Sequence, residues 1–317
     1  MRIRFKRLAL LLAGAAAAAP LQAAPPTARK PLAEVGRYYG FPTVQRLGRA
    51  FTLESRFTTL DFYKDSRKLY YNGLLIWLNA GVLQRGAALT VTEADARLVL
   101  DPLLRTELTL QDCNIAVVVL DAGHGGADSG AIGSRRNVWE KKVTLDLARR
   151  ARAKLEAAGI GVRLTRSEDR ALSLARRTRL AKRWGADLFV SIHLNSSGST
   201  AASGIETFVL PAEDFPSTQG SAAPGRPCLG NRYDAENTIL AYYLQRALLK
   251  KTGGLDRGIK RARFHVLCNA PCPAALVECG FLSNPAEEAG MLRSTHRDRI
   301  ADGISEGILR YIGKCGK

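Results

Sequence analysis

"LDAGHGGADSGAIG", residues 120–133, sets the fold and places the first reactive side chain. The apolar run before it, from residue 115, reads as a buried strand ending at Asp121. Five glycines then crowd residues 123–133 around one histidine, His124. Glycine lets the backbone bend sharply and leaves space in front of an imidazole. The run lacks the GxGxxG order, and no fitting acid follows the second strand, so a dinucleotide loop is a poor match. No Gly-Lys-Ser/Thr is present, which excludes a phosphate-binding P-loop.

The pattern repeats outward from there. "GIGVRLT", "ADLFVSIH", "GIETFVL" and "PAALVEC" read as further strands, several of them continuously apolar. Between them lie "EKKVTLDLARRARAKLEAAG", "LSLARRTRLAKRWG" and "AENTILAYYLQRALLKKTGG". In the first of these, Leu147, Ala148, Ala151, Leu155 and Ala158 recur at helical spacing and Gly159 follows as a stop. Buried strands alternating with amphipathic helices predict an α/β fold, an open, mostly parallel sheet with helices on both faces. Sites in such folds lie beyond the carboxyl ends of the strands. Residues 36–111 differ: short alternating segments with an Asn72-Gly73 turn signal read as a small β-rich module preceding the sheet.

Two of the four histidines stand at strand ends. His124 is one; "FVSIHLNSS" puts His193 at the other, with Ser191 and Asn195 alternating around it. His265 and His296 lack this setting. Among the acids, Glu140 starts a helix, where the helix dipole alone favours it. Glu278 ends an apolar strand, where a carboxylate is costly unless paired or metal-linked. Two imidazoles and a carboxylate are a usual zinc set for hydrolysis, with one position open to water. A second carboxylate is then needed to move a proton. Residue types alone leave open which glutamate does which.

The ends of the chain set its context. "MRIRFKRLALLLAGAAAAAPLQAA" runs from basic to apolar to small residues, a secretory signal cut after Ala23 or Ala24. No other stretch is apolar enough to cross a bilayer, so no stable membrane insertion is expected. The signal carries four basic residues and no acid, so its loss lowers the net charge from +18 to +14. Scattered basic residues without interleaved aromatics argue against nucleic acid, and an anionic cell envelope fits an exported protein.

The blocks "LDAGHGGADSGAIG", "WEKKVTLDLA", "LTRSEDRALSLARRTRLAKRWGADLFVSIHLN", "SGIETF", "DRGIKRARFHVL" and "PCPAALVECGFLSNPAE" together resemble the zinc-dependent N-acetylmuramoyl-L-alanine amidases of bacterial cell walls, type 3 family, over roughly residues 115–313. The resemblance implies one zinc per chain held by His124, Glu140 and His193, with Glu278 as the catalytic carboxylate. It implies hydrolysis of the amide between N-acetylmuramic acid and L-alanine, with peptidoglycan as partner and a periplasmic, envelope or secreted location. Asp121, Asn195, Glu206 and Arg176 are expected to support the site or meet substrate. The division implied is a signal at 1–24, a β-rich module at 25–111, and a catalytic domain at 112–317 with an insert at 211–234. The module resembles copper-amine-oxidase-N-terminal-like modules of some wall enzymes, which implies binding of the wall rather than copper. The insert, rich in Pro, Gly and Ser, is expected to form a mobile rim loop near the site rather than a plugging helix. Two other readings remain: a zinc peptidase or carboxypeptidase, with Arg166 or Arg176 for a terminal carboxylate, and a non-catalytic wall-binding protein.

The six cysteines form no paired CxxC motifs, so a zinc cage is a poor reading. The last helix, running antiparallel to the strand before it, should bring Cys315 to the amino edge of the sheet, beside Cys113. A Cys113–Cys315 bridge is therefore expected. Cys228 should pair with Cys268 or Cys272, and Cys279 should remain a thiol.

Overall fold

The structure is a computed structural model that describes residues 28–133, 135, 138–219 and 226–316. The expected secretory segment, residues 1–24, lies outside the described residues. Among the described residues, no helix is long and apolar enough to cross a membrane.

The chain opens with β1 (Arg29–Pro31) and α1 (Leu32–Tyr38). Short strands follow: β2 (Val44–Leu47), β3 (Ala50–Glu54), β4 (Thr59–Tyr63), β5 (Lys68–Tyr71), β6 (Leu74–Trp77), β7 (Leu83–Arg85) and β8 (Ala88–Thr92). Helical turns α2 (Glu93–Asp95), α3 (Asp101–Leu104) and α4 (Thr106–Thr109) lead into β9 (Val117–Ala122), α5 (Glu140–Ala157), β10 (Gly161–Leu164), α6 (Leu174–Arg183) and β11 (Leu188–Asn195). Then come β12 (Ile205–Val209), α7 (Asp234–Thr252), β13 (Asp256–Arg261), α8 (His265–Cys268), β14 (Ala274–Phe281), α9 (Pro285–Leu292) and α10 (Ser294–Ile312).

Period-two alternation explains why the central strands are apolar throughout. Val118, Leu120, Val190, Ile192, Ala275 and Val277 belong to one core, which also takes residues of α5, α7 and α10. Their neighbours Val119, Phe189, Ala274 and Leu276 belong to a second core with Ala181 of α6 and Val266 and Leu267 of α8. Helices thus cover both faces, as expected. The strands β10, β9, β11 and β14 are parallel neighbours.

Beyond β14 the sheet departs from simple parallel order. β12 pairs antiparallel with β14, and β13 pairs parallel with β12. β13 then meets β6 through Ile259 and Ile76, so the strands of the N-terminal segment extend one eleven-stranded sheet. Leu53, Leu60, Phe62, Leu69 and Ile76 lie in the same core as Ile239, Leu240 and Leu244 of α7. β1, β8 and β7 form a separate three-stranded sheet.

The reversal of β12 corrects the expected position of the insert. Glu206 of β12 pairs with Glu278 and Phe208 with Leu276, so β12 ends toward the amino edge of β14. Residues 211–219 and 226–234 therefore start from the edge opposite the histidines; residues 220–225 lie outside the described residues. No α-helix forms between residues 211 and 233 among the described residues. Arg263 donates to the carbonyls of Ala212 and Arg226, and Arg67 to that of Ser217, which pins the described parts. Cys228 is bridged to Cys268, with a Cα–Cα distance of 4.9 Å. Cys113 is bridged to Cys315 at 4.8 Å, at the amino edge where the helix direction put it. Cys272 and Cys279 are buried thiols.

Candidate metal centre

His124, Glu140 and His193 come from a loop, a helix start and a strand end, and converge at the carboxyl edge of the sheet. One ligand atom from each lies within 4.8 Å of the other two. Glu140 Oε1 is 3.1 Å from His124 Nε2 and 2.9 Å from His193 Nδ1. The imidazoles meet edge to face with centroids 4.9 Å apart.

Local chemistry explains each placement. His124 adopts a left-handed backbone, φ 60°, directly after the strand. That conformation is uncommon for a side chain with a Cβ, and it is held by its surroundings. Arg177 donates to the carbonyls of Ala122 and His124 and to Asp121 Oδ1, at 2.7, 2.8 and 2.8 Å. Arg166 donates to the carbonyls of Ala122, Gly123 and Lys141. Asp128 Oδ2 takes His124 Nδ1 at 2.8 Å, which leaves Nε2 facing Glu140. Gly130 leaves room for both: a Cβ there would stand 2.5 Å from Glu140 Oε2 and 2.6 Å from His124 Cδ2. A Cβ on Gly123 would meet the His193 ring at 2.4 Å.

Glu140 is buried at the first turn of α5. The backbone N–H groups of Leu194 and Ala131 donate to its two oxygens at 3.0 and 2.8 Å. Burial works to raise its pKa, but hydrogen bonds from His124 and His193 outweigh that and hold it at about 2. Burial opposes protonation of His124, yet Glu140 and Asp128 raise its pKa above the usual imidazole value. The donor set, two nitrogens and an ionised carboxylate oxygen at close range, fits a zinc-type divalent cation.

Glu278 stands in register with His193 on β11 and with Glu206 on β12. Its Oε2 is buried without a hydrogen-bond partner among the described residues. Burial, then Glu140 and Glu206, push its pKa well above the usual carboxylate range, against the pull of Lys260. An orphaned buried carboxylate oxygen beside a metal-type cluster is the arrangement expected of a group that handles a proton.

The remaining expected residues divide. Asp121 is fully buried and accepts from Thr165, Ser191 and Arg177, so it anchors the His124 loop from beneath. Asn195 donates to Glu206 at 2.7 Å, and Glu206 also accepts from Arg257 and Lys260. Arg176 is exposed on α6; the guanidinium that reaches the loop is that of Arg177, one position on. Arg166, kept open above for a terminal carboxylate, is buried and committed to carbonyls. Asp128, Arg177 and Lys260 were not singled out by sequence. Asp128 had a signal, a carboxylate four residues after His124; the arginine and the lysine had none beyond their charge.

The sequence profile described as N-acetylmuramoyl-L-alanine amidase matches residues 118–310. The chain is 33% identical over 268 residues to N-acetylmuramoyl-L-alanine amidase AmiA of Escherichia coli (strain K12), covering 73% of this chain and 90% of that protein. It is 34% identical over 195 residues to N-acetylmuramoyl-L-alanine amidase LytC of Bacillus subtilis (strain 168), covering 61% of this chain and 35% of that protein. Among solved structures, the catalytic domain of CwlV, an N-acetylmuramoyl-L-alanine amidase from Bacillus (Paenibacillus) polymyxa var. colistinus, superposes with a TM-score of 0.54 at 36% identity, covering 63% of this chain and 99% of that one. The chain belongs to the N-acetylmuramoyl-L-alanine amidase family.

Proposed function

We propose that the chain is a zinc-dependent N-acetylmuramoyl-L-alanine amidase that hydrolyses the amide between the lactyl group of N-acetylmuramic acid and the L-alanine of a peptidoglycan stem peptide. The observation that carries this is the convergence of His124, Glu140 and His193 within 4.8 Å, with Glu278 in register beside His193. His124 Nε2, Glu140 Oε1 and His193 Nδ1 are the atoms that would hold the ion. When bound, zinc lowers the pKa of water toward neutrality and polarises a carbonyl.

The chain's own groups do the rest. Asp128 fixes the tautomer and orientation of His124, the usual task of a carboxylate behind a ligating imidazole. The N–H groups of Leu194 and Ala131 hold Glu140 in place. Glu278 accepts a proton from the attacking water at its carboxylate and returns it to the leaving amine. Arg257 and Lys260 offset the charge of Glu206, and Asn195 donates a hydrogen bond to it; Glu206 otherwise sets a second buried negative charge directly across from Glu278.

In this reading residues 1–24 direct export to the periplasm or envelope. Residues 25–111 form the N-terminal module and 112–317 the catalytic unit. The test is a digest of purified sacculi by the full mature chain, with and without chelator, analysed for muropeptides. Free stem peptides with an L-alanine amino terminus, lost on chelation and restored by zinc, are the expected result. Products cut within the peptide would replace this reading with that of a zinc peptidase.

A further inference from the structure

We propose that the cavity at the amino edge of the sheet, opposite the metal centre, is a binding site for a small organic ammonium ion. It lies between the end of α4, the loops entering β9, β11 and β14, the first turn of α7 and the end of α10. It encloses about 430 Å³, a volume suited to a small molecule. None of His124, Glu140, His193 or Glu278 borders it, so binding there is separate from hydrolysis.

The lining reverses the sign of the molecule. In a chain of net charge +18 it holds three carboxylates, Asp112, Asp187 and Glu236, and no lysine or arginine. Asp187 Oδ2 accepts from the N–H groups of Ala116 and Val117, both at 2.8 Å, and its Oδ1 makes no hydrogen bond among the described residues. Glu236 is half-buried in the first turn of α7 and forms no ion pair among the described residues. Burial raises its pKa, against the pull of its own backbone N–H, and a cation placed beside it restores the ionised form.

Acids alone mark only a solvated rim; the observation that points to an occupant is Tyr311. This residue of α10 lines the same cavity, is fully buried, and has a hydroxyl without a hydrogen-bond partner among the described residues. Buried polar groups are nearly always paired, because leaving one unpaired is costly. Burial, then Glu236 and Cys272, raise the pKa of the phenol. Both of those residues line the cavity, which puts the hydroxyl at its wall. The hydroxyl of Tyr233, by contrast, is spent on the Pro271 carbonyl at 2.8 Å.

An ammonium group carries three donors and no acceptor. Glu236, Asp187 and the Tyr311 oxygen offer it lone pairs that no protein cation occupies. Leu110, Ile115, Pro271 and Pro273 supply apolar surface for the carbon part of such a ligand. A divalent metal ion is a poorer occupant. Among the described residues only His124, Glu140 and His193 bring three ligand atoms within 4.8 Å of one another, and the carboxylates of this cavity do not.

The test is calorimetric titration of the full mature chain, both disulfides intact, with cadaverine as probe in about 0.15 M salt. Saturable binding is expected, with none of pentanediol, which has the same length without the charge. Glu236→Gln should weaken binding at least about tenfold and Tyr311→Phe about fivefold, each through a lost hydrogen bond. Tyr311→Phe removes a hydroxyl that has no partner, so it stays folded and decides the question even where Glu236→Gln does not fold. Glu54→Gln, exposed on β3, makes the same change of charge and should bind within about twofold of the parent. No binding by the parent, equal binding of the diol, an equal loss in Glu54→Gln, or unchanged binding by Tyr311→Phe overturns the proposal. Binding of calcium but not of cadaverine, lost in Glu236→Gln, overturns it in favour of a metal site.

Discussion

At the scale of single residues the centre depends on two kinds of position, those that carry chemistry and those that must stay small. Glu278→Gln preserves shape but cannot accept a proton. It should keep one zinc per chain by elemental analysis and lose at least ~10²-fold in sacculus hydrolysis. His193→Ala should lose metal and activity together, and a variant still fully loaded with zinc would remove His193 from the ligand set. Gly130 has φ 65°, and its Cβ direction is filled by Glu140 and His124. Gly130→Ala should therefore lower zinc content in a protein that remains folded by circular dichroism. Beneath the loop, Arg177 and Asp121 form a buried pair, with side-chain exposures of 4% and 1%. Arg177→Met leaves Asp121 buried without its cation and should cost about 3–5 kcal/mol in denaturant unfolding.

At the scale of elements, α7 carries an acid that makes stability depend on pH. Asp234 is buried at its first turn, and burial, against the pull of Asn231 and Arg261, lifts its pKa from 3.8 to about 7. A carboxyl with a raised folded pKa favours the native state while protonated. That contribution is fully present below about pH 4 and is lost as pH rises through 7. With each unit worth about 1.4 kcal/mol, the swing approaches ~4 kcal/mol. Asp234→Asn has no proton to lose. The difference in urea midpoint between the variant and its parent should grow in the variant's favour from pH 4.5 to 7.5. A constant difference across that range would show that Asp234 is ionised throughout.

At the scale of the whole molecule, the eleven-stranded sheet and the core shared by α7 and β3 to β6 join the two ends of the chain. Deleting residues 25–111 removes the β6 partner of β13 and bares the apolar face around Leu240 and Leu244. The shortened protein should unfold at lower denaturant and bind a hydrophobic dye. An unchanged midpoint would mean that the catalytic unit is independent of those strands. The Cys113–Cys315 bridge closes a loop with a sequence separation of 202. On the chain-entropy estimate its loss through Cys113→Ser with Cys315→Ser costs about 5 kcal/mol, measurable as a lower denaturant midpoint in protein oxidised to the same extent.

What the sequence determined by itself is local and periodic. Apolar runs with period two and helices with period 3.6 defined β9, β11, β14 and α5 through contacts each segment makes along its own length. Strand ends follow from where such runs stop, so His124, His193 and Glu278 were legible as residues of one edge. The Cys113–Cys315 pairing was legible for the same reason, because alternating directions place chain ends. β13 was not, since "DRGIKR" looks like an exposed segment. Its buried Lys260 and Arg261 are tolerable only because Glu206 and the carbonyls of Trp77 and Leu210 meet them there. The side of the sheet taken by the insert depended on the antiparallel entry of β12, a choice of neighbour that periodicity cannot encode. The use of Arg177 rather than Arg176 depended likewise on which face of α6 packs inward. These outcomes belong to the tertiary structure because a buried charge is stable only beside its partner, and partners distant in sequence become neighbours only when the chain folds.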